Sequence, residues 1–193
     1  MMQINLNIDW TEFVLMNYID VKYAIPVNLI KDNFSDLLDV EKILKGLIAK
    51  NYVKCEQEFY CLTKIGKEKI TLFRQYMLKK LTDKNKQALL ESSVLLDNAG
   101  YFLQYIITKF QLNADGQSYI IKSLEDVHKE ILDALKNIIS ILPHLNFHLK
   151  RMENALSRVK EGNMSFIIYD SNSYYYCYSE LHADIKNFIS EIK

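Results

Sequence analysis

His144 and His148 stand four residues apart, the spacing that puts two imidazoles on one helix face, as metal ligands require. Only the distant Cys177, Glu180 or His182 could complete such a site, so a structural or solvent-facing pair is the plainer reading. Cys55 and Cys61 flank a short extended stretch. A two-residue turn at Glu56-Gln57 would pair 55 with 58 and 52 with 61. The two thiols then point to opposite faces, cannot bridge, and read as small core residues. Tyr174, Tyr175, Tyr176 and Tyr178 form an aromatic run of the kind that stacks nucleic-acid bases, yet no Lys or Arg lies between Lys160 and Lys186 to hold phosphates. Packing of a hairpin against the terminal helix accounts for them more simply, with a ligand pocket as the alternative. The acidic pairs Asp36/Asp39 and Glu125/Asp126 sit at predicted helix starts, where carboxylates favour the helix dipole without any catalytic purpose. The sequence contains no nucleophile elbow, phosphate loop, dinucleotide fingerprint or H-E-x-x-H pair. No catalytic activity, metal or cofactor is expected.

The elements that would position these groups belong to an ordinary globular chain. Its 193 residues suffice for one generous domain or two small ones, with 49% apolar and 25% charged residues. Five Gly and two Pro disfavour a barrel or sandwich rich in tight turns. Lys+Arg and Asp+Glu balance at 24 each, so bulk attraction to nucleic acid or an anionic membrane is absent. Three cysteines, an odd number, argue against a secreted disulfide scaffold. The first fifteen residues carry Asp9 and Glu12 with no basic start or apolar stretch, so no secretory signal is read. The densest apolar run, Val94 to Phe110, is broken by Asp97, Asn98, Gln104 and Lys109 and does not suit a bilayer. A cytoplasmic protein with no membrane partner is expected.

Periodicity predicts helices first. Asp9 with Glu12 reads as a capping box before Trp10, Phe13, Val14, Met16 and Tyr18. Pro26 opens a second helix that ends near Asn33 to Asp36. Val40, Ile43, Leu44, Leu47 and Ile48 give the cleanest 3.6-residue stripe. Two short strands follow, 52–55 and 58–62, and Thr63 caps a fourth helix through Ile70, Phe73 and Met77. Beyond Lys84 the chain reads as nearly all helix. Leu89, Leu96, Leu103 and Phe110 recur at seven, with Ser92 at an expected apolar place. Asn113 to Gly116 is a turn. Ser123 caps a long helix with Leu124, Val127, Ile131, Leu135, Ile138 and Leu142, which Pro143 must kink or end. Leu145 to Val159 resumes the pattern. Residues 165–169 and 174–178 suggest a second hairpin about Asp170–Ser173, and Ser179 caps a final helix. The best boundary is Thr82 to Lys86, dividing 1–82 from 83–193.

Helix, helix, helix, two-strand hairpin, helix is the order of a winged helix-turn-helix. Tyr60-Cys61-Leu62-Thr63-Lys64-Ile65-Gly66-Lys67-Glu68 resembles the Y-x-L-T-x-x-G-(K/R)-E segment of MarR-like and PadR-like transcriptional regulators. Leu44 to Val53 is similar to the end of their recognition helix running into the wing, with Asn51 where glycine is usual. The resemblance covers residues 9–80. It implies a mainly α protein with an N-terminal winged helix, followed by a helical region that dimerises or supports a protein partner. It also implies reading of the major groove of double-stranded DNA by the helix at 38–50, with contacts from Asn33, Ser35, Lys42, Lys45, Lys54, Lys64 and Lys67.

Charge tests that implication. Residues 1–63 hold 6 Lys against 9 carboxylates, a net of −3; residues 64–86 hold 8 basic against 2 acidic, a net of +6; the remainder nets −3. Asp36, Asp39 and Glu41 would face phosphates, which dominate affinity. The alternative is therefore a winged-helix adaptor that binds protein and not DNA. A sensor of small molecules, using the helical half, is compatible with the DNA-binding reading.

Overall fold

The computed structural model describes residues 8–34 and 39–192, which are mainly helical with one small antiparallel sheet. They divide into two compact units, one ending at Lys80 and one spanning Leu81–Ile192.

In the first unit the order is α1 (Trp10–Lys22), β1 (Ile25–Pro26), α2 (Val27–Asn33), α3 (Val40–Ala49), β2 (Val53–Glu56), β3 (Phe59–Leu62) and α4 (Lys64–Lys79). The capping box at Asp9 and Glu12 is formed in full, each side chain taking the other's backbone N–H. Two strands were expected, but the sheet has three, in the order β1-β3-β2. Pro26 is tolerated because β1 lies at an edge, where its missing N–H removes no ladder bond. The hairpin turn is Gln57-Glu58, one residue later than expected. Both residues adopt positive φ, 49° and 67°, as a primed two-residue turn demands. The resulting register pairs Cys55 with Tyr60 and Lys54 with Cys61. The thiols still point to opposite faces, but Cys55 is exposed rather than a core residue.

One buried cation joins the first helix to the fourth. The Arg74 guanidinium donates to Asn17 Oδ1 at 2.7 and 3.2 Å and to Asp20 Oδ2 at 2.8 Å. Phe13 and Phe73 stack beside it with centroids 4.3 Å apart.

The second unit comprises α5 (Asp83–Gln111), α6 (Gln117–Leu135), α7 (Leu145–Lys160), a 3-10 turn (Met164–Ile167) and α8 (Tyr174–Ile189). Three expectations are corrected here. Residues 165–178 form no hairpin: Ser173, and not Ser179, caps α8, so the tyrosine run is the start of the last helix. Tyr174, Cys177, Tyr178, Leu181, Ile185 and Phe188 are its buried stripe, and this 3.6-residue period overrides the β-propensity of tyrosine. Next, α6 starts at Gln117 after Gly116, so Ser123 lies inside it, as do Glu125 and Asp126. Finally, α6 ends at Leu135; Ile138 and Leu142 are buried in hydrogen-bonded turns before Pro143.

Polar groups on α8 reach each of the other three helices. Asp184, fully buried, accepts from His148 Nε2 at 3.1 Å and from His144 Nε2 at 3.3–3.4 Å. Burial opposes ionisation of this carboxyl, but the two imidazoles override it and hold it well below the usual carboxylate range. One turn earlier Glu180 pairs with Arg151, whose Nη2 donates to Asn172 at 2.8 Å. His144, His148 and Arg151 thus line one face of α7 against a ladder of acceptors. Toward α6, Tyr174 Oη lies 3.0 Å from His128 Nδ1. Burial raises the phenol and lowers the imidazole, so this is a hydrogen bond between two neutral groups. Toward α5, Tyr178 donates to the Leu96 carbonyl at 2.5 Å, and Asp97 takes His182 at 2.7 Å and Lys186 at 2.8 Å.

Tyr178 also explains Gly100. A Cβ there would lie 2.6 Å from the phenol oxygen, so a residue that costs a helix interior about 1 kcal/mol is kept for space. Gly100→Ala should destabilise the chain by about 1–2 kcal/mol, and most of that loss should vanish in a Tyr178→Phe background. Urea unfolding of the four proteins in that cycle measures the coupling.

Asp184 makes a second test. Its folded pKa lies below the unfolded value of about 3.9, so its contribution is complete above that pH and is lost as pH falls through the folded value. Asp184→Asn should lower stability at pH 7 by about 3 kcal/mol and flatten the dependence of stability on pH below about 4, read from urea midpoints across an acid series.

Candidate nucleic-acid interface

Helix α3 begins at Asp39, which takes a left-handed φ of 64° and accepts the Lys42 N–H at 3.0 Å. Val40, Leu44 and Leu47 are buried, leaving Glu41, Lys42, Lys45 and Ile48 along its outer side. Its far end is fixed twice. Asn51 adopts the left-handed conformation that ends a helix, φ 56°, and Lys50 Nζ reaches both Glu12 oxygens at 2.6 and 2.9 Å. One end of α3 is thereby tied to the start of α1.

The Thr63-x-x-Gly66 segment closes the hairpin onto α4. Thr63 Oγ1 donates to the Asn51 carbonyl at 2.6 Å and accepts from the Gly66 N–H at 3.0 Å. The Thr63 N–H bonds the Tyr52 carbonyl at 3.0 Å. A Cβ on Gly66 would sit 2.0 Å from that same carbonyl oxygen, so only glycine permits the approach. In this chain the L-T-x-x-G pattern therefore describes a joint between the β2–β3 hairpin and α4.

The structure separates the seven residues expected at DNA. Lys42 and Lys45, three apart on α3, are exposed and close no ion pair among the described residues. Lys64 and Lys67 are likewise exposed, in the first turn of α4, which contains no acidic residue. Positive charge at a helix N-terminus opposes the dipole, so these lysines are placed against local preference. Lys54 is exposed but joined to Glu56 at 2.8 Å, which raises its pKa. Asn33 is turned inward, donating to Tyr18 Oη at 2.9 Å, and is removed from the surface set. Ser35 and Asp36 fall outside the described residues.

The acidity expected to repel phosphate is partly engaged. Glu41 pairs with Lys31 of α2 at 2.6 Å, which lowers the carboxyl and raises the amine. Asp39 is committed to its cap. Lys31 is a partner of α3 that sequence reading missed; its only signal was a lone cation ten residues before Glu41. Phe59 on β3, Ile48 on α3 and Ile65 on α4 are exposed apolar residues of the elements that carry these cations or adjoin them in sequence. Among the described residues no cluster of His, Cys, Asp or Glu could hold a metal ion, and no helix is long and apolar enough to cross a membrane. No protein-family model, curated protein or solved structure matches the chain.

The two glycines of this region should respond oppositely to alanine. Gly66→Ala must displace backbone and should cost about 3 kcal/mol or more. Gly46→Ala meets nothing within 4 Å and should gain roughly 0.5–1 kcal/mol from helix propensity. Thermal unfolding followed by far-ultraviolet circular dichroism distinguishes them.

Proposed function

We propose that the chain is a DNA-binding transcriptional regulator whose first unit is a winged helix-turn-helix that presents α3 to the major groove. The observation that carries this reading is the outer side of α3. Lys42 and Lys45 are open there, while the neighbouring carboxylates Asp39 and Glu41 are held by a cap and by Lys31. The element order α1-β1-α2-α3-β2-β3-α4, with α2 and α3 consecutive and the hairpin directly after α3, supports it. Lys64 and Lys67 supply further cations to a duplex backbone and gain from phosphate what they lose against the dipole of α4. The same reading includes a homodimer through the helical half, whose exposed Leu90, Val94 and Leu95 form a stripe on α5.

The adaptor reading is favoured by a different observation. Ile48, Phe59 and Ile65 expose apolar surface on the elements that would otherwise meet phosphate. Binding to mixed genomic duplex fragments, measured by fluorescence anisotropy across a salt series, decides between them. A regulator binds with steep salt dependence, and Lys42→Glu/Lys45→Glu weakens it while reducing the log–log slope by about two. A folded protein that retains no DNA at low salt is the adaptor.

A further inference from the structure

An open groove of about 580 Å³ runs between α5 and α6, and its chemistry is unlike that of the surrounding surface. Both walls belong to the second unit, and a five-residue connection between them makes the two helices antiparallel. Tyr101, Phe102 and Tyr105 come from α5, spaced to share one side of that helix. Tyr119, Asp126 and Glu130 come from α6, at intervals of seven and four that keep them on one stripe. The floor is apolar and well packed, since Ile106 and Val127 are buried.

Two features of this lining point to a ligand. The four aromatic rings are left between 51% and 77% exposed, so their faces are open to an occupant. Two carboxylates share the groove with them, while no Lys or Arg lines it. Two basic neighbours stand at its rim: Lys129 lies 3.8 Å from Asp126 in an exposed, loose pair, and Lys109 pairs with Asp115 at 3.6 Å, which leaves Glu130 as the lining carboxylate with no lysine partner among the described residues. Lys109 Nζ also stands 5.5 Å from the centroid of Tyr105, so one lining ring already serves as the partner of a cation. Aromatic faces attract cations through the ring quadrupole, and carboxylates add attraction of the same sign. An anion meets repulsion from Glu130 and Asp126, and a neutral apolar molecule gains no electrostatic attraction from either.

We propose that this groove binds a lipophilic organic cation, an aromatic or quaternary ammonium or phosphonium compound, with the rings of Tyr101, Phe102, Tyr105 and Tyr119 around it and Asp126 and Glu130 balancing its charge. The volume is in the range of small-molecule sites. The proposal stands apart from DNA binding, because every residue it uses lies in the second unit.

The test is isothermal titration calorimetry of the full chain with three aryl probes: tetraphenylphosphonium, its near-isosteric anion tetraphenylborate, and neutral triphenylphosphine oxide, which carries one phenyl fewer. The cation should bind about tenfold or more tightly than the neutral probe, and the anion most weakly. Asp126→Asn/Glu130→Gln should weaken the cation about tenfold and leave the neutral probe unchanged. Phe102→Ala/Tyr105→Ala should weaken both, with circular dichroism confirming that each variant is folded. These substitutions lie at exposed positions, so folding is retained. Failure of tetraphenylphosphonium to bind, equal binding of cation and anion, or undiminished affinity in the charge-neutralised variant overturns the proposal. Sedimentation equilibrium supplies the remaining arm. A dimer that breaks on Tyr101→Asp and excludes the cation gives the groove to a second copy of the chain, and the proposal falls.

Discussion

A carboxylate sealed from water persists only where other groups compensate its charge, and Asp184 imposes that condition on the second unit. Its two partners come from adjacent turns of α7, so α7 and α8 meet in a single register that aligns 184 with 144 and 148. Sliding either helix by one turn would leave Asp184 facing one imidazole instead of two. The Glu180–Arg151 pair repeats the constraint one turn away, and Asn172 extends it past the end of the helix. Apolar packing supplies most of the free energy of such a bundle, but apolar surfaces tolerate sliding. The polar ladder selects one arrangement among those that the apolar stripes allow.

The first unit solves the same problem on a smaller scale. Arg74 is its one deeply buried cation among the described residues, and α1 meets it with an amide and a carboxylate one turn apart. Around that anchor, the positions of α3 and the β2–β3 hairpin follow from short joints: Glu12 to Lys50 at one side, Asn51 and Tyr52 to Thr63 at the other. The outer side of α3 takes no part in these joints. Of the side chains on that outer side, Glu41 alone is tied to another helix, through Lys31, while Lys42 and Lys45 close no ion pair among the described residues.

Local signals were legible in the sequence. The capping box at Asp9, the cap at Thr63, the left-handed Asn51 and the period from Val40 to Ile48 each involve residues within a few positions, and each is realised. Long-range partners were not legible. Nothing local distinguishes Asp184 from a surface aspartate, or shows that His144 and His148 meet a carboxylate rather than a metal or solvent. The tyrosine run misled because its composition favours strand while its apolar period continues that of Leu181, Ile185 and Phe188. Strand β1 went unseen because two residues generate no period. At the candidate interface the lysines were visible, but the internal use of Asn33 and the neutralising role of Lys31 depended on tertiary neighbours. The aromatic groove was hidden for a related reason: on α5 the rings that line it follow the same apolar run as those that fill the core.

The position of α8 in the chain bears on how the protein is made. It is the last helix of its unit to be synthesised, yet His128, His144, His148, Arg151 and the Leu96 carbonyl all find their partners on or beside it. Until α8 is made, the side chains among these groups lack the partners they have in the fold, and the apolar stripes beside them have no complete core to enter. The first unit has everything it needs once Lys80 is free of the exit tunnel. A chain stopped short of α8 would therefore keep the apolar stripes of α5 to α7 only partly covered, the condition in which incomplete domains are most open to aggregation and proteolysis.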